Sequence, residues 1–464
     1  MTALHPRRGD DPAPPPTPRT SPSPHRAPGH RFYLSVTVKF VLSVLFALSW
    51  TGASVWISLP WITDLSRLTG DPAAWIIVSL VAFLPGFVVA LLSLSLLLDR
   101  QPPFRVSNPV TPLTIIVAAR NEQDGIRETI RCIGGSDYAG PVTVILADNG
   151  SEDATARFAE LAAAEADVAL LVVREPAPGK SHALNTALRQ VTTPYVITVD
   201  ADTLLHREAL RRLISRLESS PADTVAVAGA VLVRNSRVNL LTRMQEWDYY
   251  LGIAAVKRMQ GLYRSTLVAQ GAFSVYRTAN VTAIGGWPDA IGEDIVVTWK
   301  LLEQGGRVLF EPTAVAFTEA PTTVLHFMRQ RARWARGMFE GLRAVPPWRQ
   351  KHRLAGTISG IDFLIPLLDI GYGLIWVPGL VLFVAVGNTA VVSVWALAVL
   401  PITLVIYGSL RAFQSNRVFG PLGLHVRRNR FGYLTFLLGY QVLCSYASLV
   451  GYVQFLAGSA RRWK

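Results

Sequence analysis

The distribution of apolar residues constrains this chain more than any other feature. A bilayer core of ~30 Å needs about 20 helical residues to cross it. Five segments have that length and few charges: roughly 36–60, 74–98, 362–386, 388–410 and 432–457. Residues 107–320 hold no such segment and alternate short apolar runs with helix-like stretches. That alternation predicts an α/β domain with a mostly parallel sheet. The expected architecture is a multi-pass α-helical membrane protein with a Rossmann-like α/β domain between its second and third spans.

Composition and charge sharpen this. The chain has 464 residues, 50% of them hydrophobic, and a net charge of +13. Basic residues lie beside the apolar segments rather than along one polar face with interleaved aromatics, which favours membrane lipids as partners and argues against nucleic acid. The two cysteines, Cys132 and Cys444, fall in very different segments and form neither a disulfide framework nor a metal-ligand spacing. Residues 1–30 hold nine of the 30 prolines. Such a stretch cannot bury a core and is expected to be a disordered tail, not a cleaved signal peptide.

Orientation follows from the basic loops. Arg7, Arg8, Arg19, Arg26 and Arg31 precede the first span, and Arg411, Arg417, Arg427, Arg428 and Arg430 lie in the loop 411–430. Both regions are expected in the cytoplasm, and two spans then place the middle domain there as well. Five spans would leave the basic end RRWK (461–464) outside, so one apolar segment is suspected of lying at the interface. Residues 355–386, with Asp362, Pro366, Asp369 and Pro378, are the candidate. The expected division is a Pro-rich tail at 1–31, two spans within 32–100, a cytoplasmic domain at 101–321, an interface helix at 322–353 and about three spans at 354–464, in the cell membrane.

Several stretches of the middle domain carry chemistry. LTIIVAARNEQDGI (113–126) reads as a strand, a polar loop ending at Glu122, and a helix. Ligands bind at the carboxyl ends of such strands. TVILADNGSEDAT (143–155) is a second strand, ending at Asp148, which could accept hydrogen bonds from a base or sugar. Ser151 or Asp153 reads as a helix cap. GKSHALNTAL (179–188) puts Lys180 at a helix start, a place that favours an anionic group, without the spacing of a Walker loop.

YVITVDADT (195–203) runs an apolar strand into Asp200 and Asp202. Two carboxylates there repel unless a cation joins them, and hard oxygen ligands suit Mg2+ or Mn2+ bridging to substrate phosphates. AIGEDIVVTWKLLEQG (290–305) sets Glu293 and Asp294 at a helix start, as dipole partners or with one as a general base.

RQRARWARG (329–337) crowds four arginines around one tryptophan. On a helix, Gln330, Arg333 and Trp334 share a face that supplies an amide, a phosphate-binding fork and an aromatic platform. Arg329, Arg331 and Arg336 are expected to meet water or anionic headgroups, on an amphipathic helix over 322–345 lying at the membrane interface.

The ordered set ARNE, DNGS, GKSHALN, DAD, QGAF, GED and QRARW resembles the membrane-embedded family 2 glycosyltransferases, among them the synthases of cellulose, hyaluronan, chitin oligosaccharide and poly-β-1,6-N-acetylglucosamine. VTWKL after the acidic pair is most similar to the last group. The resemblance covers roughly residues 107–345 and implies a GT-A fold with an inverting mechanism. It implies that Ala119, Arg120, Glu122 and Asp148 hold the nucleotide of a UDP-sugar donor, with Lys180 and Asp200 contacting the nucleotide sugar. Asp202, with Asp200, would hold Mg2+ or Mn2+ on the diphosphate, and Gln330 and Arg333 would steady the leaving group. Gly271, Ala272 and Trp334 would border a growing glycan or lipid acceptor, and Asp294 would deprotonate its hydroxyl. A small accessory membrane subunit belongs to the implied partners.

Two positions depart from the family pattern. Gly292 stands where a threonine is usual, and Asn149 stands for the second aspartate of DDGS. The main alternative is a non-processive transferase acting on a lipid, like the ceramide glucosyltransferases. A transporter or scaffold fits less well, because acids concentrate at strand ends rather than inside the spans.

Overall fold

Strand register brings the ends of the predicted strands together. The computed structural model describes residues 34–387, 399–425 and 427–458. The Pro-rich tail and the end RRWK lie outside them. Strands β1 (Leu113–Ala119), β2 (Val142–Asp148), β3 (Ala169–Arg174) and β4 (Tyr195–Asp200) are parallel, in the order β3-β2-β1-β4. Ala119 faces Asp148 and Ala118 faces Asp200 across the ladders, so three strands stop at one level. The chain reverses its winding direction between β1 and β4, where α/β sheets open a crevice for ligands.

The rest of the sheet departs from a mostly parallel layout. After the two-residue β5 (Leu204–Leu205) come β6 (Thr224–Val233), β7 (Phe273–Arg277) and β8 (Arg307–Thr318). β7 sits antiparallel between β4 and β6, while β6 and β8 are parallel and β5 pairs antiparallel with β8. The sheet is mixed because β7 enters from the opposite direction, which brings the QGAF stretch before it to the end of β4.

Both faces of the sheet are covered, as near-continuous apolar strands require. Ile115, Val117, Leu146 and Ile197 pack with Leu210, Leu213 and Phe273 on one face. Ile116, Ile145 and Val196 pack with Leu184, Trp287, Val297 and Trp299 on the other. Alternate β1 residues go to opposite faces because side chains alternate along a strand.

Four described helical runs are long and apolar enough to span a membrane: Val36–Thr69, Asp71–Leu97, Arg353–Val386 and Arg430–Leu456. The first two are joined at Gly70, whose φ of 80° suits glycine. Arg353–Val386, the segment suspected of interfacial placement, is one helical run of 34 residues. Its Asp369 turns inward, accepting bonds from Ser445 at 2.9 Å and Tyr452 at 2.6 Å. Residues 388–398 of the remaining candidate span lie outside the described residues, and Val399–Gln414 is helical.

The RW stretch forms the predicted helix, Val324–Ala344. It does not lie loose on a surface. Gly451 of the last helix, Gln441–Leu456, approaches so closely that a Cβ there would sit 2.2 Å from the Ala332 carbonyl oxygen. Phe339 packs edge-on against Tyr452, with ring centres 4.9 Å apart.

Candidate active site

The loops after β1 and β2 clasp each other through polar side chains. The Glu122 amide donates to Thr155 Oγ1 (2.8 Å), and the Glu152 amide donates to Asn121 Oδ1 (2.9 Å). Asp153 accepts from the Thr155 and Gln123 amides; the N-cap of the helix Thr155–Glu165 is Ala154, so neither Ser151 nor Asp153 is the helix cap expected. Asp148 is buried, with Oδ1 accepting from the Ser151 amide (3.0 Å) and Arg174 at 3.9 Å from Oδ2. Ala119 accepts from the Asn149 amide through its carbonyl, and Arg120 is half-buried beside it.

Lys180 begins the helix Lys180–Leu188 and reaches Asp200 Oδ1 at 2.5 Å and Glu293 Oε1 at 3.6 Å. Burial alone would lower its pKa; the charges of Asp200 and Glu293 outweigh that and hold it above the usual lysine range. Glu293 is pushed up to about 7 by burial, with Lys180 opposing and Asp294 adding. Asp202 is pushed up to about 6, first by burial and then by the like charge of Asp200, against a hydrogen bond from Thr318 at 3.1 Å. Glu122 adds to that shift, so the ends of β1 and β4 share one field.

This donor set fits a divalent cation. Two carboxylates at one strand end repel each other, and a hard cation relieves that repulsion. Among the described residues no trio of His, Cys, Asp and Glu gathers with metal-ligand spacing. Asp200 and Asp202 would therefore share the ion with oxygens from outside the protein, as Mg2+ sites beside phosphates do.

Gly271 and Ala272 stitch these groups to Asp294. The Gly271 amide donates to Asp294 Oδ2 at 3.4 Å, and the Ala272 carbonyl accepts from the Asp200 amide at 3.4 Å. A side chain at Gly271 would meet Lys180 Nζ at 2.7 Å. Asp294 is half-buried, and its Oδ1 accepts from the Ile295 amide at 2.9 Å.

The motif helix meets the acid-bearing helix Glu293–Glu303 backbone to backbone. A Cβ at Gly292 would lie 2.7 Å from Gly337 Cα, and Glu340 accepts from the Ile291 amide at 2.8 Å. Arg333 and Trp334 are exposed, and the half-buried Gln330 keeps its amide oxygen without a hydrogen-bond partner among the described residues. Tyr249 joins this face to the DAD end. Its hydroxyl pKa, raised to about 12, is set first by burial and then by Arg331, Asp248, Asp202 and Arg333.

Residues 109–337 match the family described as "Glycosyltransferase like family 2". The chain carries a family 2 glycosyltransferase domain. It is 31% identical over 246 residues to the poly-beta-1,6-N-acetyl-D-glucosamine synthase of Staphylococcus aureus strain MSSA476, covering 53% of this chain and 58% of that one. It is 30% identical over 234 residues to the synthase of the same name from Staphylococcus epidermidis, covering 50% and 56%. The chain thus spans under two thirds of the length of these relatives. A mannosyltransferase from Pyrobaculum calidifontis, solved with GDP-Man and Mn2+, superposes with a TM-score of 0.57 at 21% identity, over 83% of this chain and 99% of that one. The shared fold is GT-A-like.

Within this glycosyltransferase domain, the structure corrects one reading of the motif helix. Arg331 and Arg336 do not face water or headgroups. Arg331 is 8% exposed and donates to Asp248 and to Tyr440 Oη, each at 2.8 Å. Its guanidinium lies 4.3 Å from the centre of the Trp334 ring. Arg336 is 7% exposed and pairs with Glu340 at 3.4 Å. Only Arg329 of the three is exposed.

Sequence reasoning also missed partners. Glu293, not Asp294, meets Lys180, and nothing in GED tells the two acids apart before the helix is placed. Asp248 and Tyr249 lie in an unremarkable apolar stretch, EWDYYLG, which carries no signal until Arg331 arrives beside it.

Proposed function

We propose that this chain is a membrane glycosyltransferase that transfers a hexosyl or N-acetylhexosaminyl unit from a UDP-sugar with inversion, building a polysaccharide of the poly-β-N-acetylglucosamine type. The observation that carries the reading is the meeting of Lys180, Asp200 and Asp294 around Gly271, at the end of β4. The paired acids, a cation of the protein and an aspartate held by backbone amides at both oxygens converge there.

Asp294 takes the proton of the acceptor hydroxyl as that oxygen bonds to the anomeric carbon. The bond from that carbon to the diphosphate breaks, and UDP leaves. Such a base contributes typically ~10²–10⁴ in rate. Mg2+ or Mn2+, held by Asp202 and Asp200, would neutralise charge on the diphosphate. Lys180 adds a fixed positive charge beside Asp200, and Arg333 and Gln330 steady the leaving diphosphate. Trp334 stacks on the acceptor sugar. Gly271 has no side chain, which leaves room beside Lys180 and Glu293. The basic loops support a domain on the cytoplasmic face of the cell membrane.

The test is UDP release by the purified chain in lipid nanodiscs, with UDP-N-acetylglucosamine, UDP-glucose and UDP-glucuronate tried singly. Metal-dependent release with one donor and a high-mass product is expected, and Asp294→Asn should bind UDP-sugar but not transfer it. A product of one sugar on an added lipid would replace the polymer reading with the glycolipid one. Wild-type turnover by Asp294→Asn would remove the base from Asp294.

A further inference from the structure

We propose that Asn149 is a positioning residue that fixes the donor-side wall of the site by clamping the loop 175–179 with its amide; this rests on the reading of the site as a UDP-sugar site. The side chain is 4% exposed. Its Nδ2 donates to two carbonyls, Glu175 at 3.1 Å and Ala177 at 2.7 Å. Its Oδ1 accepts from the Gly179 amide at 2.8 Å. Two acceptors on one side and one donor on the other settle which way the amide points.

The clamp holds the loop where it matters. EPAPG (175–179) carries prolines at 176 and 178, which have no N–H to bond, so few backbone groups of this loop can anchor it. Gly179 is the N-cap of the Lys180 helix and has a φ of 140°, a conformation open to glycine, the most freely moving residue, so an outside bond has the most order to supply here. On the other side, the Asn149 amide N–H donates to the Ala119 carbonyl at 2.9 Å, and the Glu175 amide donates to the Asp148 carbonyl at 2.8 Å. One residue, through its backbone and its side chain, therefore ties the ends of β1 and β2 to the residue directly before Lys180.

An aspartate here could accept from Gly179 but could not donate to either carbonyl. It would set a charged oxygen against two carbonyl oxygens. The departure from the DDGS pattern is thus a change of chemistry: this loop is held by donation, and only an amide of this length both donates and accepts here. With the clamp gone, ordering the loop is charged against donor binding, while Asp294 and the acceptor side stay in place.

The experiment compares wild type, Asn149→Ala and Asn149→Asp in nanodiscs. UDP affinity with Mn2+ is measured by calorimetry, donor KM and kcat by UDP release, and exchange of the peptide containing Gly179 by hydrogen–deuterium mass spectrometry. The loss of three hydrogen bonds in Asn149→Ala, and of the two donated ones in Asn149→Asp, predicts UDP affinity and donor KM weaker by about 10- to 100-fold. kcat should change by less than about threefold, and the Gly179 amide should exchange faster. Asn149→Asp should be at least as impaired as Asn149→Ala, although aspartate is nearly the same shape. Unchanged KM in both variants, or an aspartate variant that outperforms alanine, would overturn the clamp. Melting temperatures and exchange elsewhere in the chain identify a variant that has simply unfolded, and for such a variant the wild-type Gly179 amide decides. Slow exchange there, released by neither UDP nor Mn2+, supports the clamp; exchange at the rate of an open loop refutes it. A wild-type chain that binds no UDP removes the functional reading first, and the clamp's role in donor binding with it.

Discussion

Replacing Gly292 by threonine tests whether backbone contact sets the geometry of this site. Threonine is the better N-cap in isolation, since its hydroxyl can accept from an amide of the first turn. Here a Cβ at residue 292 would lie 2.7, 3.0 and 3.1 Å from the Cα, C and O of Gly337, where ordinary contact begins at 3.4 Å. Those are backbone atoms and cannot rotate away. The motif helix would have to retreat by about 0.7 Å to accept even alanine, and further for the branched side chain. Overpacking of that size costs about 1–3 kcal/mol. Misplacement approaching 1 Å near the chemistry can cost about 10²-fold in rate. Gly292→Thr should therefore melt several degrees lower and lose one to two decades in kcat for UDP release, with Gly292→Ala and Gly337→Ala between it and wild type. UDP affinity should move less, because Lys180 and Asp148 stand on other elements. If Gly292→Thr keeps wild-type kcat and melting temperature, the close approach does not govern the distance between Asp294 and the Arg333–Trp334 face.

Arg331→Met leaves the half-buried Asp248 without its cation, with only the Tyr440 hydroxyl as partner, a loss of about 3 kcal/mol or less; chemical denaturation in detergent should register it, and an Arg331→Met/Asp248→Leu pair should recover much of the loss. A single variant as stable as wild type would show that the ion pair is dispensable. Asp202→Asn should lower the affinity for Mn2+ in the presence of UDP by at least tenfold, read by calorimetry, and unchanged metal affinity would move the ion elsewhere. Burial pulls the pKa of Lys257 down to about 7, with the Asp294 charge opposing, while its Nζ donates to the Val268 carbonyl at 3.0 Å. A lysine lowered on folding binds fewer protons in the folded state between about pH 7 and its ordinary value near 10.5, so its destabilising effect is full below pH 7 and fades as pH rises. Lys257→Met should accordingly melt higher than wild type at pH 6.5, with the gap closing toward pH 10; a gap independent of pH would contradict the shift.

Much of this protein was legible because its chemistry sits at places that local pattern marks. Apolar runs of about 20 residues announce spans, since length against bilayer thickness is a one-dimensional property. Strands ending in Asp148 and Asp200 announce a crevice, because parallel register aligns strand ends without reference to the rest of the fold. The helix over 322–345 was likewise readable from its periodicity, and only its surroundings were not.

What the sequence determined by itself is therefore the layout: spans around an α/β domain, acids at strand ends, a basic helix bearing an exposed Trp334. What only the tertiary structure decided is which of several chemically equal side chains meets which partner. Glu293 rather than its neighbour Asp294 reaches Lys180, Arg331 rather than Arg329 is buried against Asp248, and Gly292 meets a glycine 45 positions away. Those choices depend on helix rotation and on approach distances of a few tenths of an ångström. Both are fixed by packing among segments far apart in the chain, so no local pattern can carry them.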